Sequence, residues 1–138
     1  MTRSIIVDYE LPAPPAKVWR TLTEPALVAA WLMETDIVPE VGRRFTFRSR
    51  PMGDWDGTVQ CEVLAVEPHR LLRYSWRGGG GGNRLDSVVT WTLMATPPGT
   101  RLHLEHAGFA DDHAGYPFMA KGWSDKRDRI AELLAGLA

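Results

Sequence analysis

The last stretch of the chain, residues 115–137, constrains the fold more than any other part of the sequence. Its apolar residues recur at intervals of three and four, at Tyr116, Met119, Ala120, Trp123, Ile130, Leu133, Leu134 and Leu137. This spacing places them on one face of an α-helix. The opposite face carries charged residues, at Lys121, Asp125, Lys126, Asp128, Arg129 and Glu132. A helix of this kind, about 30 Å long, needs a large apolar surface to lie against.

The first part of the chain predicts a half-buried strand followed by two short helices. Residues 3–11 alternate between apolar and polar positions, which is typical of a strand with one buried face. Prolines end this strand, and apolar residues at helical spacing follow them. We expect Thr23 to cap a second short helix that has Pro25 in its first turn.

From Asp36 onward the pattern is that of strands joined by turns. Residues 36–39 are predicted to form a short edge piece. Apolar phases continue at Phe45 and Phe47, at Val59, Cys61, Val63 and Ala65, at Leu72, Tyr74 and Trp76, at Val89, Trp91 and Leu93, and at Leu102, Leu104 and His106. Strands connected only by turns form an antiparallel sheet. The sequence therefore predicts an α+β fold, in which a curved meander of five or six strands wraps the C-terminal helix and leaves a cavity.

The composition limits the classes of partner that the chain can have. Its 138 residues fit one domain, residues 1–138. A net charge of −1 gives no general attraction to nucleic acid or to an anionic membrane. The single cysteine, Cys61, fits a reducing compartment, and we therefore expect a cytoplasmic protein. The sequence has no segment typical of a signal peptide or a membrane span.

Aromatic side chains are the unusual component, since six tryptophans occur in this short chain. The strands contribute Phe45, Phe47, Tyr74, Trp76 and Trp91 on their apolar faces. The helices can bring further rings to meet them, from Trp31, Tyr116, Phe118 and Trp123. Two interpretations stay open, because large rings either fill a core without voids or line an apolar concavity that binds a ligand.

His106 is the polar residue of greatest interest, because it shares the apolar phase of Leu102 and Leu104. A buried imidazole needs a hydrogen-bond partner. His106 is either a core histidine bonded to Tyr74, a tryptophan N–H or the backbone, or a group that anchors a ligand or transfers a proton. A metal ligand is a further alternative. No three histidines or carboxylates have the local spacing for one ion, so we predict no metal site and no cofactor.

Two further sets of residues are candidates for a functional site, but neither matches a known motif. Residues 78–82 are five glycines, but they complete neither a dinucleotide-binding nor a P-loop fingerprint, and we predict a hairpin loop there. Asp54, Asp56, Asp111 and Asp112 lie in turn-like segments, where solvated carboxylates are expected rather than an acid–base pair. The sequence contains no nucleophile elbow and no triad signature, and we predict no catalytic residue.

Several segments, taken in order, resemble one known family. They are residues 13–19, 22–25 with Trp31, 41–47, 57–59, 63–68, 70–76, 89–93, 99–109 and 122–123. The chain is similar over nearly its whole length to the START-type helix-grip superfamily (SRPBCC). Within it, the chain resembles the group homologous to the C-terminal domain of the heat-shock-protein ATPase activator (AHSA type). The resemblance implies a helix-grip fold, in which seven antiparallel strands wrap a C-terminal helix and leave a hydrophobic cavity.

The same resemblance implies a range of functions. Members of the superfamily bind lipids, hormones or polyketides, and some are cyclases or hydrolases. Nothing in this chain matches the paired acid and base of a cyclase. The ATPase activator is a multi-domain co-chaperone, and we do not expect chaperone activation to carry over to this single domain.

The sequence therefore favours a small-molecule-binding protein over an enzyme. We expect a lipid, polyketide or aromatic ligand between the sheet and the C-terminal helix, with His106 as polar anchor and with Trp31 and Phe109 near the mouth. The predicted ligand-binding residues are Trp31, Phe45, Phe47, Tyr74, Trp76, Trp91, His106, Phe109, Phe118, Met119 and Trp123. The alternatives are a cyclase- or hydrolase-like enzyme with His106 as acid or base, and a protein-interaction or co-chaperone-like module.

Overall fold

The chain runs through one strand, two short helices, six strands and a helix in two segments. A computed structural model describes residues 2–53, 55–79 and 84–137. The strands are β1 (Thr2–Leu11), β2 (Glu34–Thr35), β3 (Arg44–Arg48), β4 (Thr58–Glu67), β5 (Leu71–Gly78), β6 (Leu85–Thr96) and β7 (Gly99–Ala110). The helices are α1 (Pro15–Thr23), α2 (Pro25–Trp31), α3 (Tyr116–Ser124) and α4 (Arg127–Ala135).

The strands of the described ranges form one antiparallel sheet in the order β1-β7-β6-β5-β4-β3-β2. β6 and β7 pair along most of their length, with Val89 opposite His106 and Trp91 opposite Leu104. All four of these side chains are buried, as their alternation predicts, because successive side chains of a strand point to opposite faces. The predicted α+β class and the curved antiparallel sheet of about seven strands are confirmed.

The far edge of the sheet differs from the prediction for residues 36–39. The edge strand lies earlier, at β2, and it pairs with β3. Asp36 contributes its side chain instead, since Oδ1 accepts a hydrogen bond of 2.7 Å from the backbone N–H of Thr46. The carboxylate takes a donor that longer backbone pairing would use, and the strand ends at Thr35.

The two short helices meet at Glu24, whose backbone is extended with ψ at 117°. The residue before a proline resists the helical conformation, and this separates α1 from α2. The prediction that Thr23 caps α2 is wrong, because its hydroxyl donates to the carbonyl oxygen of Trp19 at 2.9 Å. The indole N–H of Trp31 donates to the carbonyl oxygen of Thr21 at 2.7 Å and ties the helices together.

The long C-terminal helix is confirmed over residues 116–135, with an interruption between α3 and α4. Asp125 and Lys126 keep helical backbone angles, but the N–H of Lys126 bonds to the carbonyl oxygen of Trp123 at 3.3 Å. That oxygen also accepts a hydrogen bond of 2.5 Å from the hydroxyl of Tyr9 in β1. A regular α-helix would give the same oxygen to the N–H of residue 127. At this point the backbone hydrogen bond spans three residues instead of four, and the helix is locally tighter where the Tyr9 hydroxyl bonds to it.

Aromatic rings fill the space between the inner face of the sheet and the helices. The ring of Trp91 lies 5.9 Å from that of Trp31 and 5.6 Å from that of Trp123, between centroids. Phe45 in β3 and Tyr74 in β5 meet edge-on at 5.3 Å across the intervening strand β4. Edge-to-face contacts of this kind stabilise a core beyond the apolar area that they bury.

Candidate functional site

A pocket of about 700 Å³ lies between α3 and the inner face of the sheet. β4, β5 and β6 form one wall, with Val59, Trp76, Gly78 and Leu85. The helix forms the facing wall, with Gly115, Phe118, Met119, Gly122, Trp123 and Lys126. The chain after α2 and the turn before β4 complete it, with Leu32, Met33, Ser49, Met52, Gly53 and Trp55. Most of these side chains are apolar, which is typical of a small-molecule site.

The rim of this pocket exposes large apolar side chains. Phe118 is 74% exposed and Met52 is 64% exposed, and both line the pocket. Single exposed apolar residues are common, but two of them on opposite sides of one concavity form a continuous apolar surface. Covering that surface with an apolar molecule would release water from it.

Trp76 sits at the inner end of the pocket and is 4% exposed. Its ring packs against Phe47 at 5.2 Å, His106 at 5.3 Å and Trp123 at 5.7 Å, between centroids. Four other tryptophans donate their indole N–H to an oxygen or nitrogen atom. No such bond joins the Trp76 N–H to a described residue, and none of their buried polar side-chain atoms lacks a partner. The Trp76 N–H therefore opens onto the pocket.

A second concave region, of about 720 Å³, lies on the outer face of the sheet. Its side chains are mostly polar, and they include two ion pairs across neighbouring strands. Arg44 and Glu62 lie 3.7 Å apart, and Arg77 and Asp86 lie 3.1 Å apart. All four side chains are well exposed, so this region is a hydrated surface rather than an apolar site.

The structure separates the eleven predicted ligand-binding residues into two groups. Those that line the pocket are Trp76, Phe118, Met119 and Trp123. Those that are buried in the core away from it are Trp31, Phe45, Phe47, Tyr74, Trp91, His106 and Phe109. The placement of Trp31 and Phe109 near the mouth is wrong, because both are fully buried. Trp31 packs against Trp91, and Phe109 packs against His106 at 4.8 Å.

His106 is fully buried and forms two hydrogen bonds through its ring. The indole N–H of Trp123 donates to Nδ1 at 3.0 Å. Nδ1 is therefore the acceptor, and Nε2 carries the proton that it shares with Ser87 Oγ at 2.7 Å. The Ser87 hydroxyl in turn donates to the carbonyl oxygen of Trp76 at 2.9 Å. These hydrogen bonds form one donor-to-acceptor series from the Trp123 N–H through His106 and Ser87 to the Trp76 carbonyl oxygen, and each polar group in the series has a partner.

This arrangement leaves no lone pair on His106 for acid–base chemistry. Burial lowers the pKa of His106 from its ordinary value of 6.5 to about 3, so the ring is neutral. Ser87 cannot serve as a nucleophile activated by His106, because the imidazole donates to its oxygen. Burial also raises the pKa of the Cys61 thiol, which holds it protonated. The geometry is that of a structural histidine, and it gives no support to the enzyme hypothesis.

Sequence reasoning missed several residues of the pocket. Trp55 and Met52 stand at the turn before β4, where the chain shows turn residues rather than a periodic pattern. Lys126 is expected on the polar face of the helix, yet it lines the pocket, because it follows Gly122 by four residues and shares that side of the helix. A tryptophan directly after a turn was the available signal for Trp55, since an indole ring seldom stays fully exposed.

Other candidate groups show no functional arrangement in the part of the chain that the structure describes. Asp56 Oδ1 accepts a hydrogen bond from the N–H of Thr58 at 2.9 Å, and Asp111 and Asp112 are exposed. Asp54, three of the five glycines (residues 80–82) and Asn83 lie outside the described residues. Within the described ranges, no cluster of His, Cys, Asp or Glu could hold a metal ion. No helix of these ranges is long and apolar enough to cross a membrane.

Comparison with known proteins places the fold and the site in context. The family model "Activator of Hsp90 ATPase homolog 1-like protein" matches residues 12–135. None of the curated proteins matches the chain. The chain is 40% identical to protein MLL2253 from Mesorhizobium loti, with a TM-score of 0.88 and 99% of each chain covered.

Two further solved structures are more distant in sequence. DynU16, a protein of the dynemicin biosynthetic locus, is 26% identical with a TM-score of 0.78, over 96% of this chain and 47% of that one. This chain therefore spans about half the length of DynU16. CalU16 from Micromonospora echinospora is 27% identical with a TM-score of 0.75, over 98% of this chain and 78% of that one.

Proposed function

The chain belongs to the family of Activator of Hsp90 ATPase homolog 1-like proteins, and we propose that it binds an apolar or aromatic small molecule. The ligand lies in the pocket between α3 and the sheet, against Trp76 and Trp123. The observation that carries this proposal is the continuous apolar lining of a pocket of about 700 Å³ whose rim residues, Met52 and Phe118, stand open to solvent. A cytoplasmic location, which the single cysteine favours, is part of the same proposal.

The energetics of such a pocket support binding in the micromolar range. Removing apolar surface from water contributes about 25 cal/mol per Å². Micromolar affinity corresponds to about 8 kcal/mol, after the costs of association have been subtracted. A flat aromatic or branched aliphatic molecule that fills the pocket buries its own apolar surface together with that of the exposed rim residues Met52 and Phe118.

The comparisons support a small molecule as the occupant. DynU16 comes from a biosynthetic locus, and the part of it that matches this chain has the same fold. The present chain keeps an open pocket and has no acid–base pair within its described residues, and this combination favours holding a compound over converting it.

A titration with uncharged apolar probes tests the proposal. The probes are 1-pyrenebutanol, a long-chain alcohol and a polycyclic phenol, followed by quenching of tryptophan emission and by native mass spectrometry. We expect one molecule to bind with a micromolar dissociation constant. Absence of binding by all of the probes at high micromolar concentration contradicts the proposal.

A blocking variant locates the site. A Cβ atom added at Gly122 meets no atom within 4 Å, and this glycine lines the pocket from α3. Gly122→Phe therefore fills the pocket without a backbone clash, and we expect it to abolish probe binding. Ser124→Phe is the matched control, because Ser124 is exposed on the same helix and does not line the pocket. Equal binding by the two variants would place the bound probe elsewhere.

A further inference from the structure

Lys126 is a cation at the wall of a mostly apolar pocket, whose polar lining residues also include Ser49 and His113. It follows Trp123 by one helical turn, at the interruption between α3 and α4, and it is half-buried. None of the ion pairs among the described residues includes Lys126. The nearby carboxylate of Asp125 is engaged by Lys121 instead, at 2.7 Å. Lys126 therefore brings to the pocket a positive charge that no described carboxylate pairs with directly.

The residues around Lys126 supply little negative charge to balance its ammonium group. No Asp or Glu of the described residues lines the pocket. The pKa of Lys126 is lowered, first by burial of the side chain and then by the charge of Arg129, while Asp125 acts in the opposite direction. A partly desolvated ammonium group without a counter-ion is costly, and an anion that binds beside it removes that cost.

Trp76 supplies a second, independent donor. Its side chain is more than nine-tenths buried, and no described residue accepts a hydrogen bond from its indole N–H, which opens onto the pocket. A ligand oxygen can accept this hydrogen bond in place of water. The rings of Trp76 and Trp123 lie 5.7 Å apart, so one ligand can contact this donor and also lie along the helix toward Lys126.

We propose that the ligand of this pocket is an apolar or aromatic carboxylic acid, whose carboxylate pairs with the Lys126 ammonium group. The ligand body lies against Trp123, and an oxygen atom of the ligand accepts the hydrogen bond of the Trp76 N–H. One lysine balances a singly charged carboxylate, whereas a phosphate monoester carries a charge of about −1.5 to −2 at pH 7, and no arginine of the described ranges lines the pocket to balance the remainder. This inference rests on the proposed function and specifies its ligand class.

A matched pair of probes separates the two proposals. 1-Pyrenebutyric acid and 1-pyrenebutanol share one apolar body and differ only in carboxylate against hydroxyl. Both are titrated into the full chain at pH 7.5, with energy transfer from tryptophan to pyrene as the readout. We expect the acid to bind about fivefold to tenfold more tightly than the alcohol, and this advantage to shrink as salt is added.

Two lysine variants identify the residue responsible. Lys126→Met keeps the apolar stem and removes the charge, and we expect it to abolish the advantage of the acid while the alcohol binds as before. Lys126→Arg keeps the charge and should retain part of the advantage. Lys17→Met is the control, because Lys17 lies in α1, does not line the pocket and forms none of the ion pairs of the described residues. Circular dichroism of each variant verifies the fold.

The outcomes are distinct. Equal affinity of the two probes for the wild type overturns the carboxylate inference and leaves the proposed function standing. A preference for the acid that persists in Lys126→Met also overturns it, because the selectivity then lies elsewhere. If neither probe binds the wild type, the proposed function fails together with the inference. A preference that is lost in Lys126→Met and kept in Lys17→Met supports it.

Discussion

The indole N–H of Trp123 donates a hydrogen bond of 3.0 Å to Nδ1 of His106. The two residues belong to α3 and β7, and the bond joins the C-terminal helix to the strand next to the β1 edge of the sheet. Because Trp123 also lines the pocket, His106 positions a pocket wall without touching the pocket itself. The imidazole is therefore a positioning residue, and its loss should act on stability.

Replacing His106 by alanine should destabilise the fold strongly. The change leaves the Trp123 N–H and the Ser87 hydroxyl without a side-chain partner and opens a cavity, and we expect a loss of about 3 kcal/mol in the free energy of unfolding. Urea denaturation measures it. His103→Ala is the control on the same strand, because the His103–Asp8 pair is partly exposed and its loss should cost less than about 1 kcal/mol. Equal losses would contradict the structural role of His106.

Acid should destabilise the protein through His106. Its pKa is about 3 in the folded protein and 6.5 in its ordinary state, so the unfolded chain binds the proton first. Stability is therefore fully present above pH 6.5 and falls between pH 6.5 and pH 3, by up to about 1.4 kcal/mol per pH unit. Urea denaturation at pH 7 and pH 4.5 should show a smaller pH dependence for His106→Gln than for the wild type. An imidazole NMR signal of His106 that titrates near pH 6.5 would refute this assignment.

The Tyr9 hydroxyl should contribute to the stability of the helix interruption. Tyr9→Phe removes the 2.5 Å hydrogen bond to the carbonyl oxygen of Trp123, which is buried, and we expect a cost of about 1–2 kcal/mol. Tyr116→Phe removes a comparable bond of 3.0 Å to Ser4, but at a partly exposed position, and should cost less. Thermal unfolding of the two variants compares them, and a larger effect of Tyr116→Phe would argue against this reading of the interruption.

Two glycines should respond to alanine in opposite directions. Gly122 has helical surroundings and open space, so Gly122→Ala should stabilise the protein by about 0.5–1 kcal/mol. At Gly99 an added Cβ would overlap the carbonyl oxygen of Leu11 and lie 2.5 Å from the Ala13 nitrogen. Gly99→Ala should therefore destabilise by about 2 kcal/mol or more. Chemical denaturation gives both values, and a neutral Gly99→Ala would show that these backbones separate easily.

Phe118 should matter for binding and not for folding. It is 74% exposed at the pocket rim, so Phe118→Ser should change the free energy of unfolding by less than about 0.5 kcal/mol. The same variant should weaken 1-pyrenebutanol binding several-fold, because the ring covers part of the ligand. Met94→Ser is the control, since Met94 is exposed on β6 away from the pocket. An unchanged affinity in Phe118→Ser would remove the rim from the site.

The order and type of the main elements could be predicted from the sequence, because periodicity is a local property. The alternation around His106 and Trp91 predicted two buried strand faces, and both are buried. Predictions about ends of elements were weaker. Thr23 and Asp36 each direct a side-chain oxygen to a backbone partner that no local pattern specifies. Because of these hydrogen bonds, the start of α2 and the edge strand lie at other residues than the sequence predicted.

The candidate site was predictable only in part. Spacing placed Trp76, Met119 and Trp123 on faces that point inward, and these residues line the pocket. The same spacing also predicted Phe47 and Trp91 to face inward and contact the ligand, yet both are buried in the core. The spacing of apolar residues distinguishes the inner from the outer face of a strand or helix. It contains no information about which ring from another element packs against a given residue on that inner face.

The sequence by itself determined the helix face, the strand phases and the inward position of His106, since each depends on residues a few positions apart. The tertiary structure decided which aromatic rings pack against each other and which stay open to the pocket. It also decided the interruption of the C-terminal helix, where the Tyr9 hydroxyl from the first strand bonds to the Trp123 carbonyl oxygen. These contacts join residues distant in the chain, and their physical basis is the packing of whole elements rather than any local pattern.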